Sequence, residues 1–129
     1  MTAWSAVHLD EIAAEQWPYW APIRHHLDIR TFGINAWRGK PGDEVIKRHE
    51  ESESGAPELY IVLSGRAAFA LGEDEVDAPA GTLVFVRDPA TERAAFAKED
   101  GTVVLSLGAA ADGKAFSPSG WDTSYLEGT

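Results

Sequence analysis

The stretch that decides the fold is residues 57–65, Pro-Glu-Leu-Tyr-Ile-Val-Leu-Ser-Gly. Its centre is rich in the β-branched and aromatic side chains that strands favour, and a proline and a glycine punctuate its two ends. The two faces of this strand carry, in alternation, Glu58, Tyr60 and Val62, and Leu59, Ile61 and Leu63. Because both faces are largely apolar, both are expected to be covered. One face fills the protein interior, and the other meets the N-terminal arm or a second subunit.

Outward from this strand, short runs rich in Val, Ile, Phe, Leu and Ala alternate with Gly, Pro and Asp. The runs are Thr31–Arg38, Glu44–His49, Leu59–Ser64, Arg66–Leu71, Glu75–Ala78, Thr82–Arg87, Arg93–Lys98 and Thr102–Leu107. This regular spacing predicts about eight strands in an antiparallel sandwich or small barrel. No long helical pattern separates the runs, which disfavours a parallel βαβ sheet. The predicted fold class is therefore all-β.

The two flanks differ from this region. Residues 1–30 contain one helical pattern, from His8 to Gln16, which ends in an aromatic segment with two prolines. Residues 109–129 are rich in Gly, Ala and Ser and are predicted to be loop. We therefore expect one domain: an N-terminal helix and arm (1–30) packing on a β-barrel (31–108), followed by a C-terminal tail (109–129).

Composition and charge disfavour several classes of function. The chain has 129 residues, with 11 Lys and Arg against 21 Asp and Glu, so the net charge is −10. Such a chain is repelled by phosphate backbones and anionic lipid, so we expect neither nucleic-acid nor membrane binding. The absence of cysteine excludes disulfides and thiolate zinc sites. Residues 1–10 lack the features of a signal peptide, so the expected location is cytoplasmic.

The residues that could bind a ligand or take part in chemistry lie in the segments before and after the strand in residues 57–65. Residues 41–51, Pro-Gly-Asp-Glu-Val-Ile-Lys-Arg-His-Glu-Glu, precede it, and Gly72 and the segment 79–81, Pro-Ala-Gly, follow it. This arrangement resembles the two motifs of the cupin family over about residues 31–107. The resemblance implies a double-stranded β-helix, or jelly-roll, barrel. Homodimers are common among cupins, which adds to the expectation of a homodimer here.

The resemblance also implies a metal site that is incomplete in this chain. In metal-binding cupins two His, a Glu and a third His converge inside the barrel, where they suit Mn, Fe, Ni or Zn. His49 and Glu58 match the first His and the Glu, whereas Glu51 stands at the second His and Val84 at the third. Two readings stay open. In the first, His49, Glu51 and Glu58 hold a divalent metal. In the second, no metal binds, and Glu58 pairs with His49 or, as an alternative partner, with Lys47.

Strand alternation, combined with this resemblance, predicts the lining of a pocket inside the barrel. The predicted lining residues are Lys47, His49, Glu58, Tyr60, Val62 and Val84. We expect a small-molecule-binding cupin with an apolar barrel pocket and no complete metal site. The alternative is a metal-dependent cupin enzyme, of dioxygenase or isomerase type, using His49, Glu51 and Glu58. Arg87 and Arg93 are expected to form surface ion pairs rather than to grip an anionic ligand.

Overall fold

A computed structural model of the chain describes residues 3–12 and 19–109. The strands in these residues are β1 (Trp20–Ala21), β2 (Gly33–Gly39), β3 (Glu44–His49), β4 (Glu58–Ser64), β5 (Arg66–Leu71), β6 (Asp74–Pro79), β7 (Leu83–Val86), β8 (Arg93–Ala97) and β9 (Thr102–Gly108). A 3-10 helix at Leu9–Glu11 and the helix α1 (Ile23–Leu27) precede the long strands. In the described part of the chain, no helix has the length and apolar character needed to cross a membrane.

The strands form two antiparallel sheets, so the prediction of an all-β fold is confirmed. The first sheet has the order β1-β2-β9-β4-β7, and the second has the order β3-β8-β5-β6. The eight predicted runs correspond to β2 through β9. β1 was not predicted, because two residues are too few to show an alternating pattern. The single turn of α1 is likewise too short to show helical periodicity.

The predicted helix from His8 to Gln16 is described only in part. The structure describes its first five residues, where the His8 ring accepts a hydrogen bond from the Asp10 backbone N–H and caps the 3-10 turn. The rest of the predicted helix, from residue 13 onward, lies outside the described residues. The same is true of the predicted loop from residue 110 onward.

The main core lies between the two sheets. Its buried members are Val45, Ile46, Tyr60, Val62, Ala67, Phe69, Ala78, Val84, Val86, Ala95, Ala97 and Val104. These side chains come from strands of both sheets, which accounts for the alternating burial of β4 and β7. The interior faces of the two sheets therefore hold each other together by apolar burial.

The outer face of the first sheet is covered in one half and open in the other. Over β2 and β9, residues of the N-terminal arm such as Ile12 and Ile23 pack against that face in a second apolar cluster. Over β4 and β7, Leu63, Leu83 and Phe85 are exposed at 48%, 65% and 50%. Among the described residues, the arm therefore covers one half of this face only, and β7 is the edge strand of the sheet.

Two positions depart from regular strand geometry. In β3 the pairing with β8 shifts register twice, so that Val45 and Ile46 are both buried although they are adjacent. At the junction of β4 and β5 the chain passes from one sheet to the other through Gly65, which has φ +72°. A Cβ at this glycine would lie 2.6 Å from the backbone of Thr102, so only glycine fits there without movement.

Candidate functional site

Three side chains meet where β3 ends and β4 begins. His49 is the last residue of β3, Glu58 is the first residue of β4, and Glu51 lies in the loop that follows β3. The His49 Nε2 atom is 3.1 Å from Glu51 Oε1 and 3.7 Å from Glu58 Oε1. Its Nδ1 atom lies 2.6 Å from the backbone oxygen of Lys47, which orients the ring. The sequence therefore predicted correctly that His49 and Glu58 come together.

The two carboxylates favour a charged imidazole. Hydrogen bonds from the ring to Glu51 and then to Glu58 raise the pKa of His49 to about 10, although burial acts against this. The hydrogen bond to His49 also lowers the pKa of the Glu51 carboxyl. At neutral pH the site thus holds an imidazolium between two carboxylates.

Arg93 is the member of the site that sequence reasoning missed. Its side chain is completely buried rather than on the surface, and its Nη1 lies 3.3 Å from Glu58 Oε1. Its Nε–H donates to the backbone oxygen of Thr91 at 3.0 Å, and the buried Nη2 finds no acceptor among the described residues. The expectation of a surface ion pair is wrong for Arg93. The signal was present in the sequence, because Arg93 occupies the same strand face as Ala95 and Ala97, which are core residues.

Tyr60 completes the surroundings of Glu58. Its hydroxyl donates a hydrogen bond to Glu58 Oε1, and its ring packs against Phe69 with centroids 5.5 Å apart. Burial, followed by the negative charge of Glu58, raises the pKa of the Tyr60 hydroxyl, so that it remains a donor. One oxygen of Glu58 therefore faces Tyr60, Arg93 and His49. We refer to His49, Glu51, Glu58, Tyr60 and Arg93 together as the His49 cluster.

Lys47 does not join this cluster. Its side chain is exposed, with Nζ 3.9 Å from Glu44 Oε1 and 5.6 Å from the centre of the Tyr19 ring. The expectation that Lys47 shares an inward face with His49 is wrong, because the register shifts in β3 break strict alternation between these positions.

The apolar lining residues predicted for a barrel pocket are packed in the main core. Val62 and Val84 are buried there beside Tyr60, and Val84 is the strand partner of Tyr60. An open apolar groove lies instead on the outer face of the first sheet. It is lined by Phe32, Pro57, Leu59, Phe85, Leu107, Gly108 and Ala109. The accessible part of the His49 cluster is polar, with the side chains of His49, Glu51 and Glu58 exposed at 36%, 30% and 20%.

Comparison with known protein structures identifies the fold. No family model matches the chain, and no curated protein matches it in sequence. A cupin protein from Bacteroides fragilis matches it in structure, with a TM-score of 0.70 and 16% identity, over 92% of this chain and 93% of that chain. The chain has the cupin fold. The resemblance seen in the sequence is thus confirmed at the level of the fold.

Other cupin-fold structures match a smaller part of the chain. An RmlC-like cupin protein from Desulfovibrio desulfuricans is 26% identical, with a TM-score of 0.52 over 61% of this chain and 72% of that chain. A predicted oxalate decarboxylase from Thermotoga maritima is 18% identical, with a TM-score of 0.55 over 67% of this chain and 73% of that chain. These matches support the fold.

The His49 cluster contains a possible metal-binding group. One ligand atom each from His49, Glu51 and Glu58 lie within 4.8 Å of one another. One imidazole and two carboxylates form a donor set that divalent ions accept, with remaining positions open to water. By its atoms the group fits such an ion. By its charge it is already balanced, because His49 lies against both carboxylates and Arg93 lies against Glu58.

Proposed function

We propose that this chain is a small-molecule-binding cupin domain whose ligand binds at the accessible side of the His49 cluster. The observation that carries the proposal is the layered arrangement of this cluster. His49, Glu51 and Glu58 are partly exposed, and they lie against Tyr60 and Arg93, which are buried. A few convergent polar groups on a rigid apolar scaffold are the usual form of a small-ligand site.

The charges of the cluster point to an uncharged polar ligand. Two carboxylates are matched by one guanidinium and one imidazolium, so the cluster has a net charge close to zero. Its accessible atoms include carboxylate acceptors and an imidazolium donor. A neutral molecule with hydroxyl or amide groups can hydrogen-bond to both kinds of atom. An anion would be repelled by the carboxylates, and a cation would be repelled by the imidazolium.

The test is a ligand screen read out at His49. Small polyols, sugars and amides are compared with monocarboxylates and amines by thermal shift, and hits are titrated while the His49 ring resonance is followed by NMR. We expect neutral compounds to move that resonance and Glu51→Gln to weaken their binding by about tenfold, because a charged hydrogen bond is lost. The matched control is Glu53→Gln, the same change in the same loop at an exposed position.

Two results would contradict this proposal. Hits that bind without moving the His49 resonance would place the ligand site elsewhere, for example in the outer apolar groove. Equal affinities in Glu51→Gln and Glu53→Gln would remove the cluster from the binding site.

A second candidate function is that of a metal-dependent enzyme, which the convergence of His49, Glu51 and Glu58 favours. One of the structural matches is a predicted oxalate decarboxylase, which is in keeping with this candidate. A divalent ion held by these three residues would supply Lewis-acid chemistry. Elemental analysis combined with native mass spectrometry of the purified protein separates the two candidates. One equivalent of a transition metal per chain supports the enzyme. A correctly folded protein without bound metal supports the binding domain.

A further inference from the structure

We propose that Arg93 is the resident cation of the His49 cluster, and that its guanidinium weakens the binding of divalent metal ions to His49, Glu51 and Glu58 by holding Glu58. This inference goes beyond the proposed function, since it concerns metal affinity and does not depend on which small molecule binds. In this proposal, one buried side chain controls whether His49, Glu51 and Glu58 bind a metal ion.

The position of Arg93 makes this cation permanent. Arg93 begins β8, which lies between β3 and β5 in the second sheet, and its backbone pairs with His49 on one side and Leu71 on the other. Its side chain has no exposed surface. Because the backbone is paired on both sides and the side chain is enclosed, the guanidinium cannot reach solvent without displacing the residues packed around it. Because guanidinium does not lose its proton in proteins, it cannot make room for an ion by becoming neutral.

Glu58 is the residue that Arg93 and a metal ion would share. Among the described residues, Glu58 is the carboxylate that accepts a hydrogen bond from Arg93, at 3.3 Å from Nη1. An ion that bound the same carboxylate would place two positive charges close to the guanidinium. Because the Arg93 side chain is fully buried, water screens this repulsion only in part. It would also draw Glu58 away from a buried guanidinium whose Nη2 has no acceptor among the described residues.

The experiment measures metal affinity directly. Mn²⁺ and, separately, Zn²⁺ are titrated into the wild type and Arg93→Met by isothermal titration calorimetry. Met has a similar reach without the charge, so Arg93→Met should bind the ion at least about tenfold more tightly than the wild type. Arg93→Lys keeps the charge and should bind as weakly as the wild type.

A remote control separates this effect from a general loss of positive charge. Arg66 begins β5, at the end of that strand opposite Leu71, which pairs with Arg93. It forms surface ion pairs with Asp77 and Glu99, at 2.6 Å and 3.4 Å. Arg66→Met should leave the affinity within about twofold of the wild type, since it is far from the ligating residues. A folded Arg93→Met protein with unchanged or weaker affinity overturns the proposal.

Folding of the variants is checked by circular dichroism and thermal unfolding. Because Arg93→Met removes the guanidinium that donates to Glu58, Arg93→Gln is made beside it, which keeps a hydrogen-bond donor while removing the charge. It should also gain affinity. If neither variant folds, the wild type decides the question. A wild type that binds one Mn²⁺ at His49 with a Kd below about 10 μM overturns the proposal, and a Kd near about 1 mM supports it.

Discussion

Replacing Glu51 by Gln removes the carboxylate nearest to His49 and keeps the shape of the side chain. The His49 Nε2 atom is 3.1 Å from Glu51 Oε1, closer than the 3.7 Å to Glu58 Oε1. Contact with Glu51 is also the largest cause that raises the pKa of His49 to about 10. We therefore expect the imidazole of Glu51→Gln to lose its proton at a clearly lower pH than that of the wild type.

The size of the change follows from the distance. Two unit charges 3.1 Å apart interact by about 1.3 kcal/mol in a water-like dielectric of about 80, which is about one pKa unit, and by about four times as much at an effective dielectric of about 20. The His49 side chain is 36% exposed, so the value should lie near the water-like limit. We expect the pKa to fall by about one to two units in Glu51→Gln and by about one unit in Glu58→Gln.

The measurement is an NMR titration of the histidine ring resonances between pH 5 and 11. The chain has four histidines, and His49 is assigned by the resonance that disappears in His49→Gln. Glu53→Gln is the control and should leave the titration of His49 unchanged. A His49 pKa that stays the same in Glu51→Gln, or that lies near its ordinary value in the wild type, would refute the arrangement of charges described above.

The same contact makes the stability of the fold depend on pH. Because the folded-state pKa of His49 is raised from 6.5 to about 10, its stabilising contribution is complete below about pH 6.5 and is lost as the pH rises toward 10. After allowance for solvent screening, we expect this contribution to be about 1 kcal/mol. Urea unfolding of the wild type and His49→Gln at pH 6, 8 and 10 measures it as the difference between the two proteins. A difference that does not shrink with rising pH would contradict the assignment.

Three further predictions concern the metal ligands, the outer sheet face and the strand junction. Glu51→His combined with Val84→His, made in the Arg93→Met protein so that the competing guanidinium is absent, should recruit one divalent metal. Elemental analysis that finds no gain in the folded protein would show that Glu51 and Val84 do not stand at the cupin ligand positions. We expect the chain to form a homodimer through the open sheet face, where Phe85 is half exposed, so Phe85→Glu should sediment as a monomer. A wild type that is monomeric at tens of micromolar would contradict this. Gly65→Ala should lower the free energy of unfolding by about 2–4 kcal/mol, because φ is positive and the new Cβ would clash with the Thr102 hydroxyl oxygen. Gly72→Ala, with positive φ but open space around it, should cost only about 1 kcal/mol in the same urea titrations.

The strands were predictable because their signal is local. Alternation with a period of two, and Gly or Pro at the ends, can be read without knowing which strands are neighbours. The prediction of Leu59–Ser64 therefore differs by one residue from the observed strand Glu58–Ser64. The elements that were missed, β1 and α1, are too short to carry a period.

The candidate site was predictable where a motif marks it. His49, Glu51 and Glu58 were found through the spacing shared with cupins, and the structure brings them together. Lys47 and Arg93 carry no such mark. In both cases the prediction assumed regular alternation or surface exposure, and it failed where the chain departs from these averages.

The sequence by itself determined that this chain is built of short antiparallel strands, because turn residues and alternating apolar side chains act within a few residues of one another. Only the tertiary structure decided what surrounds Glu58. The pairing of β8 with β3 brings Arg93 opposite His49 across more than 40 positions of sequence, and the register shifts in β3 turn Lys47 away. Burial then decides the chemistry, since a guanidinium enclosed in a core must have a counterion while one on the surface need not.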